Sequence, residues 1–485
     1  MRSALPRRHS HIVYLAACIA TLAAAGAHAD DSADDSAAIA RIESGLRPEV
    51  ALADVPVAPL ALADEMKRLN VPGVSVAVIK DGKVAWTRGY GVAWTGGPAV
   101  TPQTLFQAAS LSKPVTAMAA LRMVEQGKLA LDAGIDQALT GWTLPKGDGT
   151  PSLRQLLSHT GGMSVSGFPG YAAGKSVPTL QQVLDGAGPA NTKAIRVNAA
   201  PGSAFRYSGG GYTVVQQAMI DRAGQPFDAI LHELVLAPLG MTASTYAQPL
   251  PPELAPNAAR PHDENGKPFP GGAYTYPEQA AAGLWTTPND LARFAIAIQQ
   301  GAAGATGGVL TPAMTRTMLQ PVKNNYALGL QIQDHGKGFS HGGSNQGFKA
   351  VFYAAVADGS GAVILTNGDN GIDVAAGLMR AIAYEYQWDT NQTRLRKAVA
   401  LAPETRRTLV GRYQLDAVTD FEIAERKGEL VLRQRGGQWE PLYAESDKVL
   451  FVLSRDLELH RHDADFGKIV QGTWVRGYAR VTDMY

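Results

Sequence analysis

Cysteine is almost absent from this chain. Cys18 is the only one in 485 residues, so no internal disulfide framework holds the fold. Excess charge of either sign is missing too. Formal net charge is +1, from 44 basic and 43 acidic side chains, which leaves no basic field for nucleic acid. No transmembrane span is expected: the apolar run Ile12 to Gly26 is too short to cross a bilayer comfortably. No internal repeat is visible. What remains is an ordinary globular composition, 45% apolar, in a chain long enough for one large domain and a smaller one.

The N-terminus reads as an export signal. Arg2, Arg7 and Arg8 precede the apolar run, and Ala27-His28-Ala29 offers small residues where a signal peptidase reads. Residues 1–29 are therefore expected to be removed, giving an exported, periplasmic or secreted chain that starts at Asp30. That chain has no cysteine and, with 41 basic against 43 acidic side chains, a net charge of −2. A lipid anchor on Cys18, from Leu15-Ala16-Ala17-Cys18, is the alternative. Residues 30–59, opening on the acidic stretch Asp30 to Asp35, read as a flexible mature N-terminus.

Leu60 to Leu69 has the pattern of a short amphipathic helix. Val74–Ile79 and Val84–Thr87 flank Asp81-Gly82, a strong hairpin signal. Helices and loops follow from about Ser110 to Gln300. In that region Thr287-Pro288-Asn289-Asp290 combines a threonine N-cap, proline at the first helical position and an acid at the third. Strand patterns return at Tyr326–Gln333, Phe348–Val356 and Ala362–Thr366, and a helix at about Val374 to Tyr386. One antiparallel sheet built from both ends of this region, with helices packed on it, is the economical arrangement, an α+β fold. Residues 389–410 read as a linker and short helix. From 411 to 485, short strands and the turns Lys427-Gly428 and Gly436-Gly437 predict a small all-β, barrel-like module.

Three short segments carry chemistry. Ser110-Leu111-Ser112-Lys113 opens the helical run Pro114 to Val124, which Gly127 closes. Three residues is close to one helical turn, so Ser110 and Lys113 share a face. Serine is a poor nucleophile without a nearby base. By itself the pairing also fits an N-cap serine followed by a solvated lysine. Tyr207-Ser208-Gly209 precedes a helical pattern, Tyr212 to Ala223, and places a phenol that is a candidate proton acceptor for serine. Ser340 to Gly347 joins two strand patterns. Its glycines would let a substrate approach the strand edge, and a free amide there would complete an oxyanion hole with the Ser110 N–H.

These segments, in this order, resemble the motifs of the serine β-lactamase and penicillin-binding-protein-like hydrolase family, particularly its class C β-lactamase and esterase branch. The family's S-x-x-K stands as Ser110 to Lys113, its Y-x-N as Tyr207 to Gly209, and its K-T-G or H-x-G as His341 to Gly343. Leu156 to Gly162 and Gly283 to Asp290 extend the likeness, which covers about Leu60 to Tyr386 within a domain of residues 60–388. The C-terminal module resembles the lipocalin-like β-domain that follows some members.

The resemblance implies Ser110 as nucleophile, Lys113 and Tyr207 as a coupled proton-transfer pair, and the Ser110 and Ser344 amides as the oxyanion hole. His341, Gly343 and Gly209 would line the substrate site, with His341 hydrogen-bonded to Tyr207 or to a substrate carboxylate. No cofactor and no metal are implied. The substrate would be a small-molecule ester, a β-lactam or a D-amino-acid peptide, cleaved through an acyl-enzyme. Two departures matter: the family's asparagine is Gly209, and its lysine is His341. Both tilt expectation toward an esterase or peptide hydrolase. A penicillin-binding sensor or a non-hydrolytic binding protein that keeps the fold is the alternative, and oligomeric state stays open. Other motifs fail: Pro169 stands where a P-loop needs glycine, His232-Glu233 is followed by Leu236 where zincins carry histidine, and no G-x-S-x-G exists.

Overall fold

A computed structural model describes residues 33–145, 147–416, 418–471 and 474–481. The expected signal peptide, Cys18 and Asp30 lie outside the described residues. A six-stranded antiparallel sheet organises the main domain. Its strands are β1 (Gly73–Lys80), β2 (Lys83–Gly91), β3 (Gln331–Gln333), β4 (Gly338–Asn345), β5 (Phe348–Ala355) and β6 (Gly361–Thr366), in the order β2-β1-β6-β5-β4-β3. The first hairpin and the last four strands thus meet in one sheet through the β1–β6 pairing. Asp81 and Gly82 have φ of 51° and 67°, the left-handed geometry that the Asp-Gly turn requires.

Central strands are buried on both faces, and their side chains divide between two cores. Val74, Val76 and Val78 of β1 pack with Ile364 of β6 on one face; Ala77 and Ile79 pack with Val363 and Leu365 on the other. The second, larger core holds α1 (Ser112–Glu125) and α2 (Gly209–Ala223), both buried almost all round. Also there is α3 (Pro288–Ala302), capped by Thr287, whose Oγ1 accepts from the Asp290 amide at 3.2 Å. On the opposite face lies α4 (Gly371–Glu385).

Three expectations are corrected. Residues 30–59 are not a loose tail over their described part. Ala33–Glu43 is a helix whose Ile39 and Ile42 bury against α4, with Arg41 paired to Glu385 at 2.6 Å, so tertiary burial overrides the acidic composition. The linker 389–410 contains a strand, Arg394–Arg396, paired in parallel with Val50–Leu52. Tyr326–Gln333 is extended only from Gln331, because Tyr326 turns inward to meet His341. The short helix near the end of that linker is present, at Pro403–Leu409.

Beyond it, nine short antiparallel strands form one sheet whose two end strands, Glu440–Pro441 and Tyr443–Ala444, are separated only by Leu442. The sheet therefore nearly closes into a barrel around Tyr413, Phe421 and Tyr478. The run Ile469–Val475 divides between two of its strands. Among the described residues no helix is long and apolar enough to cross a membrane.

Candidate active site

Ser110 sits in a one-turn 3-10 segment, Ala109–Leu111, that leads directly into α1. The turn is strained. Ala109 has a φ of 51°, a conformation that an L-residue with a Cβ rarely adopts away from special sites. Ser112 ties the strained turn down: its Oγ donates to the Ala109 carbonyl at 2.5 Å and accepts from the Leu284 amide at 3.0 Å. One turn on, Lys113 is 2% exposed, and its Nζ donates to Ser110 Oγ at 2.9 Å and to the Ala281 carbonyl at 2.8 Å. The three-residue spacing thus delivers hydroxyl and amine to one point.

Tyr207 arrives from the loop before α2. Its ring lies under Lys113, with Nζ 5.0 Å from the ring centroid. Ser208 caps α2 by accepting from the Gly211 amide at 3.0 Å, which sets where that loop ends. Ser110 and the Tyr207 ring therefore both approach Lys113, although they come from segments almost 100 residues apart. Gly209 contributes no side chain, and the space it would use is filled. A Cβ there would lie 2.9 Å from Phe168 Cε2. An apolar ring stands where an amide-bearing residue would project.

The third segment is a strand rather than a connection. Gly338–Asn345 is β4, and the turn is only Gln346-Gly347. Outward from Ser340, β4 has no strand partner on its far edge among the described residues; the Ser110 turn lies there instead. Gly343 makes this approach possible, since a Cβ would sit 2.3 Å from the Ala108 carbonyl oxygen. Asn345 pairs with Phe348 across a two-residue turn, so alternation directs the Ser344 amide away from β5, toward the Ser110 side. A cavity of about 320 Å³ opens here, lined by Ser110, Gly342, Gly343, Ser344, Lys349 and Ile372.

His341 faces the site but binds neither Tyr207 nor free space. Its Nδ1 donates to the Gly342 carbonyl at 2.6 Å, and its Nε2 accepts from the Tyr326 hydroxyl at 2.9 Å. Burial, helped by the nearby Lys113 charge, pushes its pKa down to about 3. A neutral imidazole with both nitrogens engaged cannot anchor a carboxylate, which corrects the role expected for it. Lys349, which lines the Ser110 cavity, is already paired with Asp369 at 2.7 Å.

Sequence reading gave several residues of the site no role, His159 among them although it lies within Leu156 to Gly162. His159 and Tyr326 pack their rings 4.9 Å apart behind Tyr207. Asn345 donates to Gln107 Oε1 at 2.8 Å and to the Ala282 carbonyl at 3.2 Å, joining β4 to the segment that receives Lys113. Glu278, just before that segment, is fully buried; its carboxylate has no hydrogen-bond partner beyond its own amide, and burial lifts its pKa to about 7. Among the described residues no group of three or more histidine, cysteine or acidic side chains is placed to hold a metal ion.

Comparison with known proteins bears on the family and the fold. A family model described as Beta-lactamase matches residues 61–387. The chain is 27% identical over 323 residues to penicillin-binding protein 4 of Amycolatopsis lactamdurans, covering 62% of this chain and 81% of that protein. It is 30% identical over 228 residues to esterase EstB of Burkholderia gladioli, covering 43% of this chain and 57% of the relative. An octameric penicillin-binding protein homologue from Pyrococcus abyssi shares the fold, with a TM-score of 0.59 at 20% identity over 86% of this chain and 98% of the other. With two thirds of its length inside that family model, the chain belongs to the Beta-lactamase family of serine hydrolases.

Proposed function

We propose that the chain hydrolyses uncharged esters by acyl transfer through Ser110, as an exported enzyme. The carrying observation is the 2.9 Å contact between Lys113 Nζ and Ser110 Oγ at the edge of the Ser110 cavity, with the Tyr207 ring 5.0 Å from the same ammonium. Ser110 Oγ attacks the ester carbonyl, and its proton passes to the Lys113–Tyr207 pair, which acts as one coupled unit. The amides of Ser110 and Ser344 stabilise the oxyanion. Collapse expels the alkoxide, which takes the proton back. Water, activated by the same pair, then releases the acid and restores Ser110.

Preference for an ester over a carboxylate-bearing β-lactam or peptide rests on the walls. His341 is neutral with both nitrogens occupied, Lys349 is neutralised by Asp369, and Ile372 is 41% exposed beside the Ser110 cavity. Phe168 backs the place where an amide would be read. EstB is an esterase by name, whereas penicillin-binding protein 4 is named for penicillin, so both chemistries have relatives.

The test is a substrate panel on purified protein: p-nitrophenyl butyrate, nitrocefin and a D-alanyl-D-alanine peptide, with mass spectrometry of the protein after each. Rapid turnover of the ester, with slow or absent turnover of the other two, is expected. A persistent nitrocefin adduct without turnover identifies a penicillin sensor instead. Ser110→Ala should abolish ester hydrolysis and fluorophosphonate labelling; full activity in that variant would end the assignment. For export, N-terminal sequencing of the protein from its host should begin at Asp30. A diacylated Cys18 would point to a lipid anchor, and an intact Met1 to retention of the leader.

A further inference from the structure

Tyr207 reaches the site from residues 201–208, which form no helix or strand of their own. A phenol that must exchange a proton with serine needs a firmer mount than such a loop supplies. We propose that His159 is the positioning residue for Tyr207, holding the backbone on both sides of it while packing at a tilt against its ring. This rests on the acyl-transfer role given to Tyr207 above.

Three contacts converge on consecutive residues. The His159 carbonyl accepts from the Arg206 amide at 2.8 Å. His159 Nδ1 accepts from the Ser208 amide at 3.1 Å. Between them, the imidazole and the Tyr207 ring lie with centroids 4.1 Å apart. Main chain and side chain of one residue therefore grip positions 206, 207 and 208 together.

Two features show that this arrangement is not packing for its own sake. His159 has a φ of 57°, an unfavourable conformation for a residue of its bulk. It is held by the turn around it: Ser158 and Thr160 share a side-chain hydrogen bond of 2.9 Å, and the Thr160 amide donates to the Gln155 carbonyl at 2.8 Å. Secondly, an amide donor requires an unprotonated Nδ1, so the proton is on Nε2. Nε2 is buried without a hydrogen-bond partner, among the rings of Phe205, Tyr212 and Tyr326. An unpaired buried N–H is destabilising. What the imidazole keeps in exchange is a lone pair aimed at Ser208 and a ring packed at 38° against that of Tyr207.

The titratable groups around it are Lys113, Tyr207, Tyr212, Tyr326 and His341. Burial first, then the charge of Lys113 and the neighbouring His341, hold His159 well below the usual histidine range. Protonating Nδ1 would set one N–H against another and put a second cation beside Lys113, which releases the grip.

Two substitutions test this. His159→Asn keeps a side-chain acceptor and tolerates positive φ but loses the ring; His159→Ala loses both. In folded variants, kcat on p-nitrophenyl butyrate should fall roughly tenfold to a hundredfold, more for alanine, with KM changed by less than about twofold. In a Tyr207→Phe background the same substitutions should cost almost nothing further, because the hydroxyl that His159 positions is already gone. Losses that multiply in the double variants, or full activity in a folded His159→Ala, overturn the proposal while leaving the role of Tyr207 intact. Wild-type turnover in Tyr207→Phe alone would instead remove the role of Tyr207, and the clamp with it. Should neither His159 variant fold, nitrogen NMR of the histidine side chains in the wild-type protein decides. Protonated Nε2 and bare Nδ1 across the active pH range are expected, and a protonated Nδ1 overturns the assignment.

Discussion

Glu278 shows how far a single side chain here departs from what its type prefers. A fully buried carboxylate with no outside donor is held by the fold against its own solvation. Its pKa in the folded chain, about 7, lies above the ordinary 4.5. The folded state therefore binds this proton more tightly than the unfolded one, and ionisation opposes folding. The penalty is absent below about pH 4.5, grows through the window to pH 7, and is complete above it, where the shift corresponds to about 3 kcal/mol. Glu278→Gln keeps the shape without the charge. Urea unfolding should show it more stable than the parent at pH 8, with the gain shrinking toward zero at pH 4. A gain independent of pH would mean that the glutamate does not titrate in this window.

At the scale of elements, local turn and cap chemistry was readable and non-local pairing was not. The Asp81-Gly82 hairpin and the Thr287-Pro288 helix start follow from residues a few positions apart, and both are present. The Ser110–Lys113 contact was equally readable, because i to i+3 spacing is a property of one helix turn. His159 carries no such signal. Its importance lies in partners 47 and 49 positions away in the chain, and although Leu156 to Gly162 carries the family likeness, nothing local in that segment points to them. Ser340 to Gly347 misled for a different reason: glycine is usually punctuation, but here Gly343 lets a strand pass close against Ala108. A helix start that is readable should also be testable alone. Thr287→Ala removes the acceptor for the Asp290 amide and should cost about 1 kcal/mol in thermal or urea unfolding. No loss would mean that the tertiary bonds of Asp290 to Ser244 and the Ala243 amide, rather than the cap, set where α3 begins.

At the scale of the whole molecule, the β-module is fastened to the hydrolase domain by a strap with a charged buckle. Arg394–Arg396 pairs with Val50–Leu52, and those residues lead back to the helix Ala33–Glu43 on α4. From the strap, Arg396 reaches into the module, donating to Glu458 and Glu445 at 2.7 Å each, with its guanidinium 4.8 Å from the Phe451 ring centroid. Burial raises the pKa of Glu458, but hydrogen bonds from His460 and Arg396 outweigh it and hold the carboxyl below its ordinary range. The Glu458 contribution is thus present above about pH 4.5 and is lost as acid titrates it. Arg396 is only 9% exposed, so deleting it strands a largely buried Glu458, a change that costs about 3 kcal/mol or more when pairs are truly enclosed. Glu445 is half-open, which lowers the expected loss to roughly 1–3 kcal/mol. Arg396→Met retains the apolar stem and should recover part of it. Because none of these side chains lines the Ser110 cavity, calorimetry of Arg396→Ala should show the module melting earlier, while ester hydrolysis below that transition stays unchanged. A parallel fall in turnover at temperatures where the variant is fully folded would mean that the strap also shapes the cleft, through the N-terminal segment it shares with α4.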